Sequence, residues 1–175
     1  MAAYFEYVFW GLLLVTVDVR IQRFDILPDF LGYLLVLAGC RGLVAASPDF
    51  GTAAIFSGLL IPVSLLDFVT PSPAAIALTF VGLLLNCGVI WFLLGGIMSL
   101  GASYQRPDLA TKADERRRAY IIGAGVAMLG ILVGQASPGT GSLLVILAAV
   151  VMLVLVVLVL HLIWQMKQLV REGKS

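Results

Sequence analysis

Six long runs of apolar residues alternate along the chain with short polar segments. The hydrocarbon core of a bilayer is about 30 Å thick and needs roughly 20 apolar residues per helix, fewer where flanking side chains snorkel. The pattern therefore predicts an all-α polytopic transmembrane helical bundle of six spans, forming a single integral membrane domain over residues 1–175. The predicted spans are about 4–19, 28–46, 53–69, 74–101, 120–136 and 142–165.

The composition excludes a water-soluble fold. Hydrophobic residues make up 61% of the chain and charged residues 12%, whereas soluble domains are about 45–50% apolar and about 25% charged. The longest hydrophilic stretch, Ala102–Ala119, is too short to bury a core of its own. The net charge of +1 provides no basic field for nucleic acid, so no nucleic-acid partner is expected.

Three polar segments carry helix start or stop signals. Ser47–Asp49 (Ser-Pro-Asp) has an N-cap residue, proline at the first helical position and an acid in the first turn, which predicts the start of the third helix. Thr111 lies three residues before Asp114 and is predicted to cap the helix that leads into the fifth span. Ser137–Gly141 (Ser-Pro-Gly-Thr-Gly) predicts a turn between the fifth and sixth spans.

The distribution of lysine and arginine predicts the orientation, because basic residues are enriched on the cytoplasmic side. With the N-terminus inside, nine basic side chains lie inside and two outside, so we predict an N-in/C-in topology. A five-span or re-entrant variant stays open because the first run is short. Anionic lipids are the expected partners of the arginine triplet at the inner face. The inside set is Arg41, Arg106, Lys112, Arg116, Arg117, Arg118, Lys167, Arg171 and Lys174, and the outside pair is Arg20 and Arg23.

Stripes of small residues predict where helices pack closely, because close contact in lipid depends on them. The fifth run carries Gly130 and Gly134 in a G-x-x-x-G pattern and a second small pair at 123 and 127, so this helix is predicted to be central. The sixth run is bulky on all sides and is predicted to be peripheral and largely lipid-facing. Further glycine stripes lie at 32, 39 and 42 in the second run and at 82, 88 and 95 in the fourth.

The first loop holds a compact charge cluster, with two arginines and two carboxylates within ten residues. Asp29 follows Pro28 and is favoured in the first turn of the second helix by the helix dipole, so the cluster is consistent with a nearly neutral structural clasp. The alternative is a carboxylate pair at the outer mouth that accepts protons or hydrogen bonds, or binds a cation or an amine. The cluster consists of Arg20, Arg23, Asp25 and Asp29.

Polar residues inside apolar runs extend the set of candidates. Asn86, near mid-depth, either joins two helices by hydrogen bonds or contacts a ligand. Arg41 either snorkels to the inner face or pairs with an acid or a lipid phosphate. The candidate ligand-binding residues are Arg20, Arg23, Asp25, Asp29, Tyr33, Arg41, Asp67 and Asn86.

Motifs of the common enzyme classes are missing from the sequence. It has no H-E-x-x-H, no G-x-S-x-G and no Walker-type glycine loop. One histidine, His161, does not make a metal site by itself, and Cys40 and Cys87 are typical of small packing residues. We therefore predict no catalytic residue, no metal and no cofactor, while a lipid-modifying enzyme that uses the outer carboxylates stays open.

The segment Asp25–Tyr33 follows the pattern D-x-L-P-D-F-x-G-Y and resembles a segment of small uncharacterised bacterial polytopic membrane proteins. The resemblance covers about a tenth of the chain and implies a multi-pass protein of the bacterial cytoplasmic membrane. It implies no activity. In size and span number the chain is also similar to the substrate-binding subunits of energy-coupling-factor vitamin transporters, but it carries none of their binding motifs.

Two functional hypotheses follow. The first is a non-enzymatic structural or regulatory protein that binds a membrane-protein partner, or a second copy of itself, through its small-residue stripes. The second is a transporter or ligand-binding subunit with an extracytoplasmic mouth. That mouth would be built from Arg20, Arg23, Asp25, Asp29 and Tyr33 and backed by Asp67. The first demands less of a sequence with few buried polar groups, whereas the second requires a polar cavity that approaches mid-depth.

Overall fold

The computed structural model describes the backbone of residues 1–16, 20–21, 24–25, 29–67 and 72–172, and the side chains of 1–16, 29–66, 77–134, 137 and 143–172. Within these residues the chain is all-helical apart from a two-residue antiparallel ladder, β1 (Arg20–Ile21) with β2 (Phe24–Asp25). The helices are α1 (Ala2–Thr16), α2 (Asp29–Leu43), α3 (Pro48–Asp67), α4 (Ser72–Ser103), α5 (Pro107–Ala136) and α6 (Pro138–Glu172).

Each predicted run coincides with one helix, but two predicted boundaries are wrong. α3 begins at Pro48 as expected. α5 begins at Pro107, so Thr111 lies inside it and its hydroxyl donates to the Pro107 carbonyl at 3.0 Å. The turn after α5 is also shorter than predicted, because Ser137 alone adopts an extended conformation and α6 begins at Pro138. In both places a proline at the first helical position starts the helix, as its fixed φ favours.

The six helices form an up-and-down bundle in which neighbours in sequence are neighbours in space. Each helix packs against the next one, and α6 returns to pack against α1, which closes a ring. α4 also contacts α6. α1 and α6 close the ring. They are joined by an ion pair between Glu6 and Lys167 at 3.3 Å and by a tilted contact between the rings of Phe9 and Trp164.

The predicted central place of the fifth helix is wrong, and the predicted peripheral place of the sixth helix fits only its first half. α5 packs against α4 and α6, whereas α6 packs against α5, α1 and α4. The first half of α6 exposes bulky side chains such as Leu143 and Ile146, but Val159, Ile163 and Met166 in its second half are fully buried. The sequence of α6 is apolar on every side, and apolarity alone does not distinguish lipid from protein as the neighbour.

Among the described residues, four helical segments are long and apolar enough to cross a membrane. α1 and α2 have 15 residues each, or about 22 Å of helix, which is shorter than the roughly 30 Å hydrocarbon core. The chain is thus a helical membrane protein with at least four helices of spanning length. These four segments are Pro48–Leu66, Ala77–Ser103, Pro107–Gly134 and Leu143–Glu172.

The antiparallel order of the helices gives the bundle two chemically different ends. At one end, called here the basic end, α1, α3 and α5 begin and α2, α4 and α6 finish. The other end, called the Asp29 end, contains the start of α2 and the ends of α3 and α5. The start of α1 at Ala2 and the end of α6 at Glu172 both lie at the basic end. This end also collects Arg41, Arg106, Lys112, Arg116, Arg117, Arg118, Lys167 and Arg171.

The glycine stripes predicted from the sequence face helices of the same chain. A Cβ added at Gly39 would lie 2.6 Å from the carbonyl oxygen of Tyr4 in α1. At Gly88 it would meet the ring of Phe56 in α3 at 2.5 Å, and at Gly130 the side chain of Val145 in α6 at 3.2 Å. The three glycine stripes are therefore used for packing inside the bundle, as the small-residue rule leads one to expect.

Candidate ligand-binding site between α2, α3 and α4

A chain of hydrogen bonds between three side chains crosses the interior of the bundle. The Asn86 side-chain amide in α4 donates to the hydroxyl of Tyr33 in α2 at 3.3 Å. The hydroxyl of Tyr120 in α5 donates to the Asn86 side-chain oxygen at 3.2 Å. Both tyrosines are buried. These bonds give both the nitrogen and the oxygen of the amide a partner, and they connect three helices. Asn86 therefore joins helices by hydrogen bonds, which is one of the two roles expected from the sequence.

A cavity of about 160 Å³ lies between α2, α3 and α4 and reaches Tyr33 from the Asp29 end. Its volume is similar to that of an engineered cavity of about 150 Å³ that takes up benzene, so it has room for a small organic ligand. The lining residues come from α2 (Asp29 and Tyr33), α3 (Leu60, Val63 and Ser64) and α4 (Leu78, Thr79 and Gly82).

The polar groups of this cavity are oxygen atoms. Asp29 contributes a carboxylate from the first turn of α2, and Tyr33 lies one turn further along the same face. Ser64 and Thr79 add hydroxyl groups, and the Ser64 hydroxyl donates to the Ile61 carbonyl at 2.9 Å. All described lining residues other than Asp29 are uncharged. One carboxylate among hydroxyl groups favours a cation or a protonated amine over an anion.

Gly82 of α4 faces Val63 of α3 at this site. A Cβ at Gly82 would lie 3.8 Å from a methyl group of Val63, which is an ordinary contact. The wall of the cavity is therefore made by small and medium side chains on α3 and α4, and its polar floor is made by α2. Asp29, which the charge cluster marked in the sequence at the start of the helix, belongs to that floor.

The structure brings together three of the eight candidate residues. Asp29 and Tyr33 line the cavity, and Asn86 is joined to it through its hydrogen bond with Tyr33. Arg41 is exposed in the last turn of α2, about 18 Å along the helix axis from Asp29. It therefore belongs to the basic end and not to this site.

The side chains of the other four candidates lie outside the described residues. The backbones of Arg20 and Asp25 are opposite each other in the β1–β2 ladder, while their side chains lie outside the described part. Arg23 lies wholly outside it. Asp67 is the last residue of α3, and its side chain is likewise outside the described residues. The predicted outer mouth is thus described at Asp29 and Tyr33.

Three polar residues of the site were missed by sequence reasoning. Tyr120 is the third member of the hydrogen-bond chain, and Ser64 and Thr79 line the cavity. A tyrosine at the polar boundary of an apolar run is ordinary in a membrane protein, where aromatic rings concentrate at the interfaces. Serine and threonine can also satisfy their hydroxyl groups within their own helix. Only the approach of three helices distinguishes these residues from many similar ones.

The described residues contain no cluster of three or more His, Cys, Asp or Glu side chains that could hold a metal ion. His161 is exposed and its Nε2 lies 3.1 Å from the side-chain nitrogen of Gln165. Cys40 is buried and Cys87 is half-buried, both as free thiols. The polar groups of the cavity and its hydrogen-bond chain are therefore carboxylate, amide and hydroxyl groups.

No protein-family model, no curated protein and no solved structure matches this chain. The geometry of the cavity and the chemistry of its lining are therefore the observations that bear on function.

Proposed function

We propose that this protein binds a small cation or protonated amine in the cavity between α2, α3 and α4, as a transporter or as a ligand-binding subunit. The observation that carries the proposal is a carboxylate, Asp29, lining a ligand-sized cavity between three helices. Ionisable groups among membrane helices are costly and tend to be kept for function.

The hydrogen-bond chain below the cavity supports the same proposal. A transporter or receptor requires polar groups that continue from its mouth toward mid-depth. Tyr33 belongs both to the cavity lining and to the chain with Asn86 and Tyr120. A ligand that reached Tyr33 would therefore touch a side chain whose hydrogen bonds extend to α4 and α5, so its presence could be transmitted to those helices.

The structural or partner-binding hypothesis draws less support from the packing. It relied on small-residue stripes to hold a partner, and these stripes face α1, α3 and α6 of the same chain. A structural protein would also have no use for a polar cavity beside a carboxylate. Binding of a partner through another surface is the competing outcome of the experiment below.

The proposal includes six spans, an N-in/C-in topology and a place in the bacterial cytoplasmic membrane. The basic end collects eight of the chain's lysines and arginines, which supports a cytoplasmic location for that end. The cavity at the Asp29 end would then open toward the outside. α1 and α2 are short for a full crossing, and tilt of their neighbours or local thinning of the bilayer would accommodate them.

The test measures thermal unfolding of the purified full-length chain in detergent with methylammonium, ethanolammonium or tetramethylammonium chloride. Sodium chloride at equal ionic strength is the reference. A ligand at a hundred times its Kd stabilises the folded state by about 2.7 kcal/mol, and each kcal/mol shifts the Tm of a chain this size by about 2–4 °C. We expect at least one ammonium ion to raise the Tm by several degrees.

The matched variants are Asp29→Asn and Asp108→Asn. Asp29→Asn removes the carboxylate of the cavity and is expected to abolish the ammonium-dependent shift, whatever its effect on the basal Tm. Asp108 is exposed at the basic end and pairs with Arg106, so its variant should keep the full shift. The proposal fails if no ammonium ion stabilises the protein, or if Asp29→Asn responds as the unmodified chain does.

A further inference from the structure

The surface between α5 and α6 contains an apolar groove of about 350 Å³. Small residues of the two helices line it, Ala119 and Gly123 on α5 and Ala148 on α6, together with larger side chains such as Val126 and Leu155. Its lining is open at the surface of the bundle, where Ile122 is 68% exposed. The groove is therefore a recess in the surface that faces hydrocarbon.

One end of this groove is closed by an arginine. Arg116 lies three residues before Ala119 and so continues the same face of α5. Leu158 lies three residues after Leu155 and continues the same face of α6. A guanidinium nitrogen of Arg116 donates to the main-chain carbonyl of Leu158, which places the positive charge across the end of the groove, on the side of the basic end.

The three consecutive arginines have different surroundings. Arg117 pairs with Asp114 at 2.9 Å and stacks on the ring of Trp91, with 3.9 Å from its guanidinium carbon to the ring centroid. Arg118 pairs with the other oxygen of Asp114 at 2.6 Å. Arg116 forms no ion pair within the described part of the chain. Its neighbour Glu115 in α5 acts on it electrostatically, but Arg116 is the arginine of the triplet whose guanidinium contacts no carboxylate among the described side chains.

We infer that the α5–α6 groove binds one acyl chain of an anionic glycerophospholipid, whose phosphate contacts Arg116. The occupant follows from charge complementarity, because a recess without polar groups ends at a half-buried cation. A helix of a partner would have no need of that cation, and a free anion would have no need of the recess. Guanidinium groups bind phosphate strongly, and an apolar chain fills an apolar groove.

This lipid site is separate from the Asp29 cavity, because it lies on the α5–α6 surface and its cation is on the side of the basic end. Of the three arginines expected to contact anionic lipid, Arg116 is the one that contacts the phosphate at this site. Arg117 and Arg118 already have a carboxylate partner, so replacing either would remove an internal contact and leave the groove intact. Replacing Arg116 would remove the phosphate contact and leave the Asp114 pairs in place.

The test is native mass spectrometry of the purified full-length chain with added phosphatidylglycerol or phosphatidylcholine of identical acyl chains. An arginine near the membrane surface contributes a preference for anionic lipid of about fivefold. We expect the unmodified chain to bind phosphatidylglycerol about fivefold better than phosphatidylcholine. Arg116→Gln should abolish this preference, whereas the matched control Arg118→Gln should preserve it.

A second variant tests the groove independently of the charge. Val126→Phe fills the recess and is expected to lower the binding of both lipids several-fold, whereas Leu129→Phe, at an exposed position outside the lining, should leave binding unchanged. Glycerol phosphate, which has the anionic group but no acyl chain, should not displace the lipid. Equal losses in Arg116→Gln and Arg118→Gln, unchanged binding in Val126→Phe, or displacement by glycerol phosphate would each overturn the inference.

Discussion

At the scale of single residues, hydrogen bonds between buried side chains join helices of the bundle. Asn86 shows this most clearly, because its amide uses a donor toward Tyr33 and an acceptor toward Tyr120. An unpaired amide at that depth would cost several kcal/mol in hydrocarbon. Hydrogen bonds between helices contribute about 0.6 kcal/mol on average in membrane proteins, so Asn86 specifies which helices meet more than it adds to stability.

Gln105 has a backbone conformation that residues with a side chain rarely adopt. It adopts a left-handed conformation with φ 56° in the link from α4 to α5. The N–H of Arg106 donates to the Gly101 carbonyl at 2.8 Å, and the N–H of Gln105 donates to the Ala102 carbonyl at 3.1 Å. This is the Schellman pattern that finishes many helices, in which glycine usually takes the left-handed position.

Gln105→Gly is expected to stabilise the protein by about 0.5–1 kcal/mol. Glycine adopts the left-handed conformation without the steric cost that a Cβ brings, and the larger entropy of the unfolded chain cancels part of this gain. The measurement is reversible unfolding in mixed micelles. Gln105→Ala keeps the Cβ and serves as the control, so an equal gain in that variant would argue against relief of backbone strain.

At the scale of elements, the closest contact in the described bundle joins α1 and α2. A Cβ added at Gly32 would lie 2.8 Å from the Gly11 carbonyl oxygen, and one added at Gly11 would lie 2.6 Å from the Gly32 carbonyl oxygen. Gly39 is equally close to the Tyr4 carbonyl. Main-chain atoms cannot yield as a flexible side chain does, so these three glycines determine how near the two short helices can lie.

Gly39→Ala is expected to destabilise the protein by about 2–3 kcal/mol. Its methyl group would meet the Tyr4 carbonyl at 2.6 Å and the Val8 amide nitrogen at 2.9 Å, which forces α1 away from α2 in the manner of an overpacked core. Gly125→Ala is the matched control, because nothing lies within 4 Å of a Cβ there and alanine is the better helix former. Unfolding in mixed micelles should separate the two variants, and similar effects would contradict the packing explanation.

At the scale of the whole molecule, the closed ring of alternating helices determines which charged residues lie at each end. The helices alternate in direction, so side chains far apart in sequence gather at the same end, and Glu6 of α1 meets Lys167 of α6 there. The Asp29 cavity and the arginine triplet therefore lie at opposite ends. This separation is what allows a ligand site and a lipid site to be tested independently.

The proposed topology predicts that position 22 is reached from outside the cell. In a chain with Cys40 and Cys87 replaced by alanine, Gln22→Cys should react with a membrane-impermeant maleimide added to intact cells. Ala102→Cys is exposed at the basic end and should react only after the membrane is permeabilised. The reverse pattern would overturn the N-in/C-in topology, and protection of position 22 from both sides would indicate a re-entrant first segment.

The sequence by itself determined that this chain is a helical membrane protein, because hydropathy is a property of each segment alone. It located all six helices, the glycine stripes and the start of α3 at Pro48, and it marked Asp29, Tyr33 and Asn86 as unusual. These signals are local: a proline, an acid in a first turn or a polar residue in an apolar run can be recognised without knowing its neighbours.

Only the tertiary structure decided which of these residues meet. The tyrosines of α2 and α5 come together at Asn86 because three helices converge there. The burial of the second half of α6 against α1 was equally hidden. Apolar side chains suit lipid and protein equally well, so the choice between them belongs to the whole bundle and not to any segment.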